Sequence, residues 1–241
     1  MSCHLFAGSP DFECRDAYKK IMDKFKQNGL IKSNIERSLN ELCEEKENKF
    51  YLKPIAYRPT GVVLGCPLSN EYFIEKLWLL SQSFDSFLKS ISDNNVRFAF
   101  VPSESYHITI VSHSHFDIDK KIDLITDIDK AKVNRVIKNN SQGAINIHFK
   151  GILLTPEGRL LIPGYPCDNN LYHLRKKLIE SIPDLRANIP KVAHIKLGHM
   201  LIYVEDEKSK LLLDWIISFE KSISEKLTFE DVYTPIGRIL L

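Results

Sequence analysis

The sequence predicts an α+β fold made of two similar halves that follow a helical segment. Three observations support it: apolar residues recur at helical spacing in the first 55 residues, strand and helix signals alternate from Gly61 onward, and one order of features then occurs twice. The chain has 241 residues, of which 44% are hydrophobic and 27% charged, so it can bury a substantial core. We expect a helical extension over residues 1–55 and a two-lobed domain over 56–241, with lobes of approximately 60–140 and 141–241.

The N-terminal segment is expected to form a helical hairpin. Its first helix presents four apolar residues on one face, namely Tyr18, Ile21, Met22 and Phe25. Gly29 follows where a C-terminal cap is expected, and residues 33–36 fit a capping box for a second helix that reaches Cys43. Pro54 and Pro59 then mark an extended link into the main domain.

The first half has the signals of a strand, a helix, two more strands and a second helix. We expect a short buried strand at 62–64 and a long amphipathic helix between Phe73 and Ile91. The pattern then predicts strands at 96–101 and 106–113. A helix over approximately 120–137 follows.

The second half repeats this order. Its predicted elements are a hairpin of strands 144–154 and 159–165, a helix that carries Leu171, Leu174 and Leu178, a strand at 192–203, a last helix between Leu212 and Ile223, and a closing strand at 229–241. In both halves a loop that contains proline precedes a strand that opens near a histidine, His107 or His194. If a pseudo-twofold axis relates the halves, two antiparallel sheets flank a cleft, with helices outside.

Charge and cysteine content exclude several classes of protein. The 33 basic and 31 acidic side chains leave a net charge of +2, too small for a protein that binds duplex DNA mainly through its phosphates. Six cations and two anions between Leu171 and Met200 nevertheless give a local excess around His194. The five cysteines show no metal-binding or disulfide pattern, and no segment has the features of a secretion signal or a membrane span. We therefore expect a cytoplasmic protein.

Two strands carry the residues best suited to chemistry. They are Tyr106-His107-Ile108-Thr109-Ile110 and Ala193-His194-Ile195-Lys196-Leu197-Gly198. Because alternate side chains of a strand share a face, His107 points with Thr109, and His194 with Lys196. One neutral and one protonated imidazole on a shared substrate are suited to transfer at phosphorus, without a metal or another cofactor.

These motifs resemble those of the two-histidine (2H) phosphoesterase superfamily, which includes the bacterial RNA ligase-like cyclic phosphodiesterases. That superfamily carries an HxTx or HxSx motif in each lobe of a bilobal fold, and the resemblance covers about residues 60–241. The first motif, His107-Ile108-Thr109-Ile110, matches fully. The second keeps His194 and the following Gly198 but has Lys196 in place of a hydroxyl residue.

The resemblance implies a metal-independent phosphodiesterase that acts on 2',3'-cyclic phosphates or related 2'-5' linkages. It implies that His107 and His194 are the acid and the base and that Thr109 donates to phosphate. Lys196 is a candidate phosphate ligand, and its charge predicts that His194 is the base and His107 the acid. The expected partner is a nucleotide, a cyclic oligonucleotide or an RNA end, and neither duplex DNA nor a membrane.

Other residues carry weaker signals. Tyr165, at the end of a strand near the expected cleft, is a candidate for stacking on a base or for packing in the core. Arg159 and Lys150 are candidates for phosphate contact, although solvated strand ends are the simpler interpretation. His199 is expected on the face opposite His194 unless a bulge intervenes.

Two further interpretations fit the same residues. The first is a non-catalytic nucleotide- or RNA-binding module that lost turnover because of Lys196. The second is a scaffold in which residues 1–55 bind another protein and the cleft is vestigial. An enzyme should require both His107 and His194, whereas a binding module should depend on Lys196 for affinity and a scaffold should tolerate all three changes.

Overall fold

A mixed β-sheet and six α-helices make up the described part of the chain, so the fold is α+β, as predicted. The computed structural model describes residues 10–41, 43–47, 49–52, 61–65, 71–92, 98–113, 127–140, 144–182, 185–186, 192–219 and 221–229. The described helices are α1 (Pro10–Asn28), α2 (Lys32–Glu41), α3 (Glu71–Ile91), α4 (Asp127–Asn140), α5 (Asn170–Ser181) and α6 (Asp206–Phe219). The described strands are β1 (Cys43–Lys46), β2 (Lys49–Leu52), β3 (Gly61–Gly65), β4 (Phe98–Phe100), β5 (His107–His113), β6 (Ile145–Lys150), β7 (Leu153–Leu154), β8 (Arg159–Pro166), β9 (Leu185–Arg186), β10 (Ala193–Met200) and β11 (Ser224–Phe229).

The described strands belong to one sheet, whereas the sequence predicts two sheets across a cleft. The main path runs β1-β2-β4-β10-β8-β6-β11, and β3 joins through β5. The two halves are continuous because β5 and β10 are hydrogen-bonded neighbours, with Ile108 opposite Ile195. The periodicity of a strand shows which of its faces is buried, but not which strand pairs with it. The sequence therefore did not predict the pairing of β5 with β10.

The two halves contain the same order of elements and exchange strands reciprocally. The first half runs β3, α3, β4, β5, and the second runs β8, α5, β9, β10. In each half the last of these strands lies antiparallel beside the first. In addition, β4 of the first half pairs with β10 of the second, and β9 of the second half pairs with β5 of the first. This exchange makes β5 and β10 the strands at the junction of the halves.

The N-terminal segment is helical over only part of the predicted range. Gly29 follows α1 with a φ of 62°, and its N–H donates to the Phe25 carbonyl at 2.8 Å, which confirms the predicted cap. The second helix ends at Glu41, and Cys43 begins a strand instead of a further helical turn. This strand, β1, forms a hairpin with β2, and β2 pairs in parallel with β4. Pairing with a distant strand thus overrides the local helical pattern at residues 43–52.

Several predicted elements have different bounds, and some lie outside the described residues. The helix expected over 120–137 is observed as α4, and residues 114–126 are not among those described. The last helix, α6, ends at Phe219, and the strand that follows it is β11, earlier than predicted. The rest of the predicted closing strand, 230–241, and the turn at Pro190 also lie outside the described residues.

An apolar layer from α3 and α6 covers one face of the sheet at β4 and β10. The ring of Phe84 lies 5.3 Å from that of Phe98 on β4 and 4.9 Å from that of Trp215 on α6, measured between ring centroids. Gly198 on β10 fits under this layer because it has no side chain: a Cβ there would collide with the ring of Phe98 and with the Ala99 carbonyl oxygen. The neighbouring strands approach too closely at this point for any larger residue.

Candidate active site

The two histidine motifs lie on neighbouring strands at the junction of the halves. Ile108 of β5 pairs with Ile195 of the antiparallel strand β10, and both isoleucine side chains are 0% exposed. The residues one step away on either strand point to the opposite face. They are the polar members of the two motifs, and all four are half-buried: His107, Thr109, His194 and Lys196. We call these four residues the histidine patch.

The register of β5 and β10 sets the geometry of the histidine patch. In an antiparallel pair, moving one residue outward from Ile108 and Ile195 brings His107 beside Lys196 and Thr109 beside His194. The two histidines are therefore diagonal neighbours, a relationship in which residues lie about 7–8 Å apart. The charge of His107 accordingly contributes to the pKa of His194.

A 3₁₀ turn positions His107. Residues Ser103–Ser105 form this turn between β4 and β5, and the Ser105 carbonyl oxygen lies 2.7 Å from Nδ1 of His107. A carbonyl oxygen only accepts, so Nδ1 carries the hydrogen and Nε2 is the nitrogen available for proton transfer. Burial lowers the pKa of His107, the Ser105 carbonyl opposes this change, and Lys196 lowers the pKa further.

The turn is an insertion along one edge of β10. Phe100 pairs with Gly198, whereas Ile108, eight residues later, pairs with Ile195, only three residues earlier. Between these two pairs, the chain that joins β4 to β5 is thus five residues longer than the matching part of β10. The extra residues form the turn, while β4 and β5 both pair with the same edge of β10. This insertion places His107 at the start of β5, next to the carbonyl that orients its ring.

The surroundings of His194 lower the pKa of its imidazole strongly. Burial lowers the pKa of His194 to about 4, and Arg159, His107, Arg175 and Lys196 contribute in that order. His194 is therefore neutral at pH 7, the state that the sequence-based hypothesis requires of the base. The cause differs, since burial has the largest effect on this pKa and Lys196 the smallest.

Lys196 is a cation held in a poorly solvated position. Burial, followed by the charge of Arg159, lowers its pKa to about 7, while Cys43 on β1 has the opposite effect. At neutral pH the ammonium form is thus only partly populated. A bound anion would favour the ammonium form and raise this pKa.

A bulge in β10 gives His199 a different orientation from the one expected in a regular strand. Between Lys196 and Gly198, β10 advances by two residues while β8 advances by one, and His199 then pairs with Arg159. His199 is only 4% exposed, and its ring hydrogen-bonds to the backbone of Glu157. Burial, followed by Lys196 and Arg159, lowers the pKa of His199 to about 3. His199 is accordingly a buried structural histidine next to the histidine patch.

Arg175 of α5 stabilises the backbone of the strands that carry the histidine patch, a role that the sequence did not predict. It is 4% exposed, and its Nε donates to the Ile110 carbonyl at 2.8 Å. One terminal nitrogen donates to the carbonyls of Thr109 and Val192 at 3.0 and 2.8 Å. Ile110 is the extra residue of a bulge between β5 and β3, so its carbonyl has no place in the ladder. Arg175 therefore joins β5 to the residue that precedes β10.

Tyr165 lies on the histidine-patch side of β8, where α1 covers it. It is two residues beyond Pro163, which pairs with His194. The ring of Tyr18 meets the ring of Tyr165 edge-on at 5.5 Å, and the Arg15 guanidinium lies 5.6 Å from its centroid. These contacts favour the packing role for Tyr165, and base stacking stays a prediction.

The first helix is anchored to the strands that carry the site. The hydroxyl group of Tyr18 is hydrogen-bonded to the backbones of Gly164 and Ala193, and burial raises its pKa well above the ordinary value. Cys14 of the same helix lies 3.1 Å from the hydroxyl group of Tyr172 on α5. The N-terminal extension thus packs on β8 and α5, close to the histidine patch.

The other histidines are separate from the patch or outside the described residues. His148 is half-buried, and its Nε2 lies 3.1 Å from the Ser224 hydroxyl. His173 lies on α5, and the side chain of His113 is not described, nor are His4 and His115. Within the described ranges, no group of three or more His, Cys, Asp or Glu side chains could hold a metal ion.

The chain was compared with family models and with curated proteins. The chain matches no family model and no curated protein. Among the residues with described positions, no helix combines the length and apolar character needed to cross a bilayer. The geometry of the histidine patch is therefore the basis for the proposed function.

We expect the protein to lose stability as the pH falls from about 6.5 to about 4. Folded His194 takes up a proton only near pH 4, whereas in the unfolded chain it does so near 6.5, so the unfolded state binds more protons between these values. The midpoint of urea unfolding, measured across this range, should fall less in the His194→Gln variant than in the wild type. His148→Gln is the matched control and should behave as the wild type, and equal slopes in all three proteins would contradict the burial of His194.

Proposed function

We propose that the protein is a metal-independent phosphodiesterase that opens a 2',3'-cyclic phosphate, or a related nucleotide phosphodiester, by paired-histidine acid–base catalysis. The observation that carries this proposal is the pairing of Ile108 with Ile195. That single register brings two histidines, a hydroxyl and an ammonium group from distant parts of the chain onto one face. Histidines with a purely structural role would not require a hydroxyl group and an ammonium group beside them.

The arrangement of strands supports a fold like that of the 2H phosphoesterases. In this proposal the two halves are the two lobes, and β5 and β10 are the strands that carry one motif each. The reciprocal pairing of β4 with β10 and of β9 with β5 is what a pseudo-twofold relationship requires. The cytoplasmic location and the nucleotide, cyclic oligonucleotide or RNA-end substrate belong to the same proposal.

The proposed reaction is an in-line displacement at phosphorus. Neutral His194 accepts a proton from water as the new phosphorus–oxygen bond forms, and protonated His107 donates a proton to the ribose oxygen as the other bond breaks. The Ser105 carbonyl favours the protonated form of His107, which suits an acid. Thr109 and Lys196 donate to the non-bridging oxygens. The product is a nucleoside monophosphate with a free neighbouring hydroxyl group.

An assay with 2',3'-cyclic nucleotides in the presence of EDTA tests the proposal. We expect turnover to a nucleoside monophosphate that the chelator does not change, because no step uses a metal. The free-enzyme profile of kcat/KM should peak between about pH 4, where His194 becomes protonated, and about pH 6.5, the upper limit for His107. Loss of activity in EDTA, or a maximum on the alkaline side of neutrality, would contradict the assignment.

A nucleotide-binding module is the second candidate, and one observation favours it. Both patch imidazoles have lowered pKa values, so the acid is mostly unprotonated at neutral pH in the absence of ligand. Such a module should bind cyclic nucleotides without turnover even at acidic pH, and Lys196→Ala should weaken binding. Turnover that depends on both histidines would exclude it.

A further inference from the structure

A second cation lies beside the histidine patch, on the strand that borders β10 on the side away from β5. Arg159 opens β8, and Leu161 of that strand pairs with Lys196. Alternate residues of a strand share a face, so Arg159, two residues before Leu161, is on the same face as Lys196. Arg159 and Leu161 are about 7 Å apart along β8, so Arg159 lies diagonally across from Lys196.

We propose that Arg159, beside Lys196, forms a second anion subsite, which binds a phosphate group of the substrate other than the one that is cleaved. This inference rests on the proposed function and narrows its substrate class to nucleotides with at least two neighbouring phosphates. Arg159 presents a planar fork of donors and Lys196 a compact charge, and both types of group bind phosphate oxygens.

The electrostatic surroundings agree with an anion at this place. Arg159 lowers the pKa of His194, of Lys196 and of His199, so its charge reaches the whole neighbourhood. Within the described part of the chain, no carboxylate is among the causes of these three pKa shifts. The Arg159 side chain is exposed, and within the described residues its guanidinium forms no ion pair. A phosphate would supply a negative charge for the Arg159 guanidinium.

The spacing indicates which phosphate is bound. Neighbouring phosphates of a nucleotide, such as a 5'-phosphate and a 2',3'-cyclic phosphate on one ribose, or successive phosphates of an extended strand, are separated on the same scale as Lys196 and Arg159. The histidines then act on the terminal cyclic phosphate while Arg159 holds the next one. In contrast, Arg175 cannot serve as this ligand, because its guanidinium is buried against three backbone carbonyls.

The test compares three substrates: a nucleoside 2',3'-cyclic phosphate, the same compound with a 5'-phosphate, and a dinucleotide that ends in a cyclic phosphate. The wild type should prefer a substrate with a second phosphate, and Arg159→Gln should reduce this preference, measured as a ratio of kcat/KM values, at least about tenfold. Loss of preference for the 5'-phosphate identifies a terminal phosphate as the ligand, and loss for the dinucleotide identifies an internal one. Lys150→Gln removes an exposed cation from β6 as the matched control and should keep the wild-type ratio.

The outcome separates this inference from the proposed function. If the wild type opens cyclic phosphates but Arg159→Gln leaves both ratios unchanged, the subsite is wrong and the enzyme assignment stands. If the wild type opens none, the enzyme assignment fails, and calorimetry with adenosine 3',5'-bisphosphate and adenosine monophosphate then tests the subsite directly. In that case Arg159→Gln should weaken binding of the bisphosphate at least about tenfold more than that of the monophosphate, and equal losses would overturn the inference.

Discussion

Replacing either His107 or His194 with alanine is expected to lower kcat/KM for a 2',3'-cyclic nucleotide at least ~100-fold, the lower end of what a positioned proton donor or acceptor contributes. Each variant removes either the proton donor or the proton acceptor of the proposed displacement. The two imidazoles serve the same displacement, so the double variant should be much less impaired than the product of the single effects predicts. Initial rates at saturating and limiting substrate, at about pH 5.5 and with EDTA present, provide the measurement.

His148→Ala is the matched control for these histidine variants. His148 lies on the same sheet and is half-buried, but it contacts the Ser224 hydroxyl instead of the histidine patch. Its loss should change kcat/KM by no more than about twofold, the size expected at a surface position. A similar loss in all three variants would point to general damage, and full activity in either His107→Ala or His194→Ala would disprove the paired mechanism.

Replacing Arg175 with methionine is expected to lower the free energy of unfolding by about 2–4 kcal/mol. Methionine fills much of the same volume but leaves the carbonyls of Thr109, Ile110 and Val192 without the donors that Arg175 provides. Relief of the charge from burial offsets part of this loss. Urea unfolding at about pH 7.5, analysed by linear extrapolation, measures the difference.

Two further variants show whether the fork geometry of Arg175 matters. Arg175→Lys keeps a cation but cannot reach three carbonyls in one plane, so it should recover only a minor part of the lost stability. Lys176→Met removes the neighbouring exposed cation, which forms a 3.9 Å ion pair with Glu180, and should change stability by no more than about 0.5 kcal/mol. Equal stability of Arg175→Met and the wild type would show that the three carbonyls find other partners.

Local periodicity predicted the elements that bury a continuous apolar face. The long helix α3 and the strands β5 and β10 appear close to their predicted bounds, because their apolar residues recur at the period of the structure they form. The same alternation placed Ile108 and Ile195 in the core and the polar motif residues on the other face. Which side chains share a face of a strand is a local property of the chain.

Tertiary pairing decided what the period of the sequence does not contain. The helical pattern that reached Cys43 gave way to a strand because β2 pairs with β4, more than forty residues away along the chain. The bulge after Lys196 changed the orientation of His199. Arg175, which in the sequence is one of several cations in a local charge excess, is the buried link between β5 and the residue before β10. The sequence left a bulge open as an alternative for His199, but it did not decide any of these outcomes, since each depends on a partner brought close by folding.

The amino-acid sequence by itself determined which residues are chemically competent and which of them share a strand face: His107 with Thr109, and His194 with Lys196. Only the tertiary structure decided that these two pairs meet, through the hydrogen-bonded register of Ile108 and Ile195. It also decided the protonation of the site, because the pKa of His194 falls to about 4 mainly through burial. Alternation is set by backbone geometry within one strand, whereas register and desolvation are set by the packing of segments that are distant in sequence.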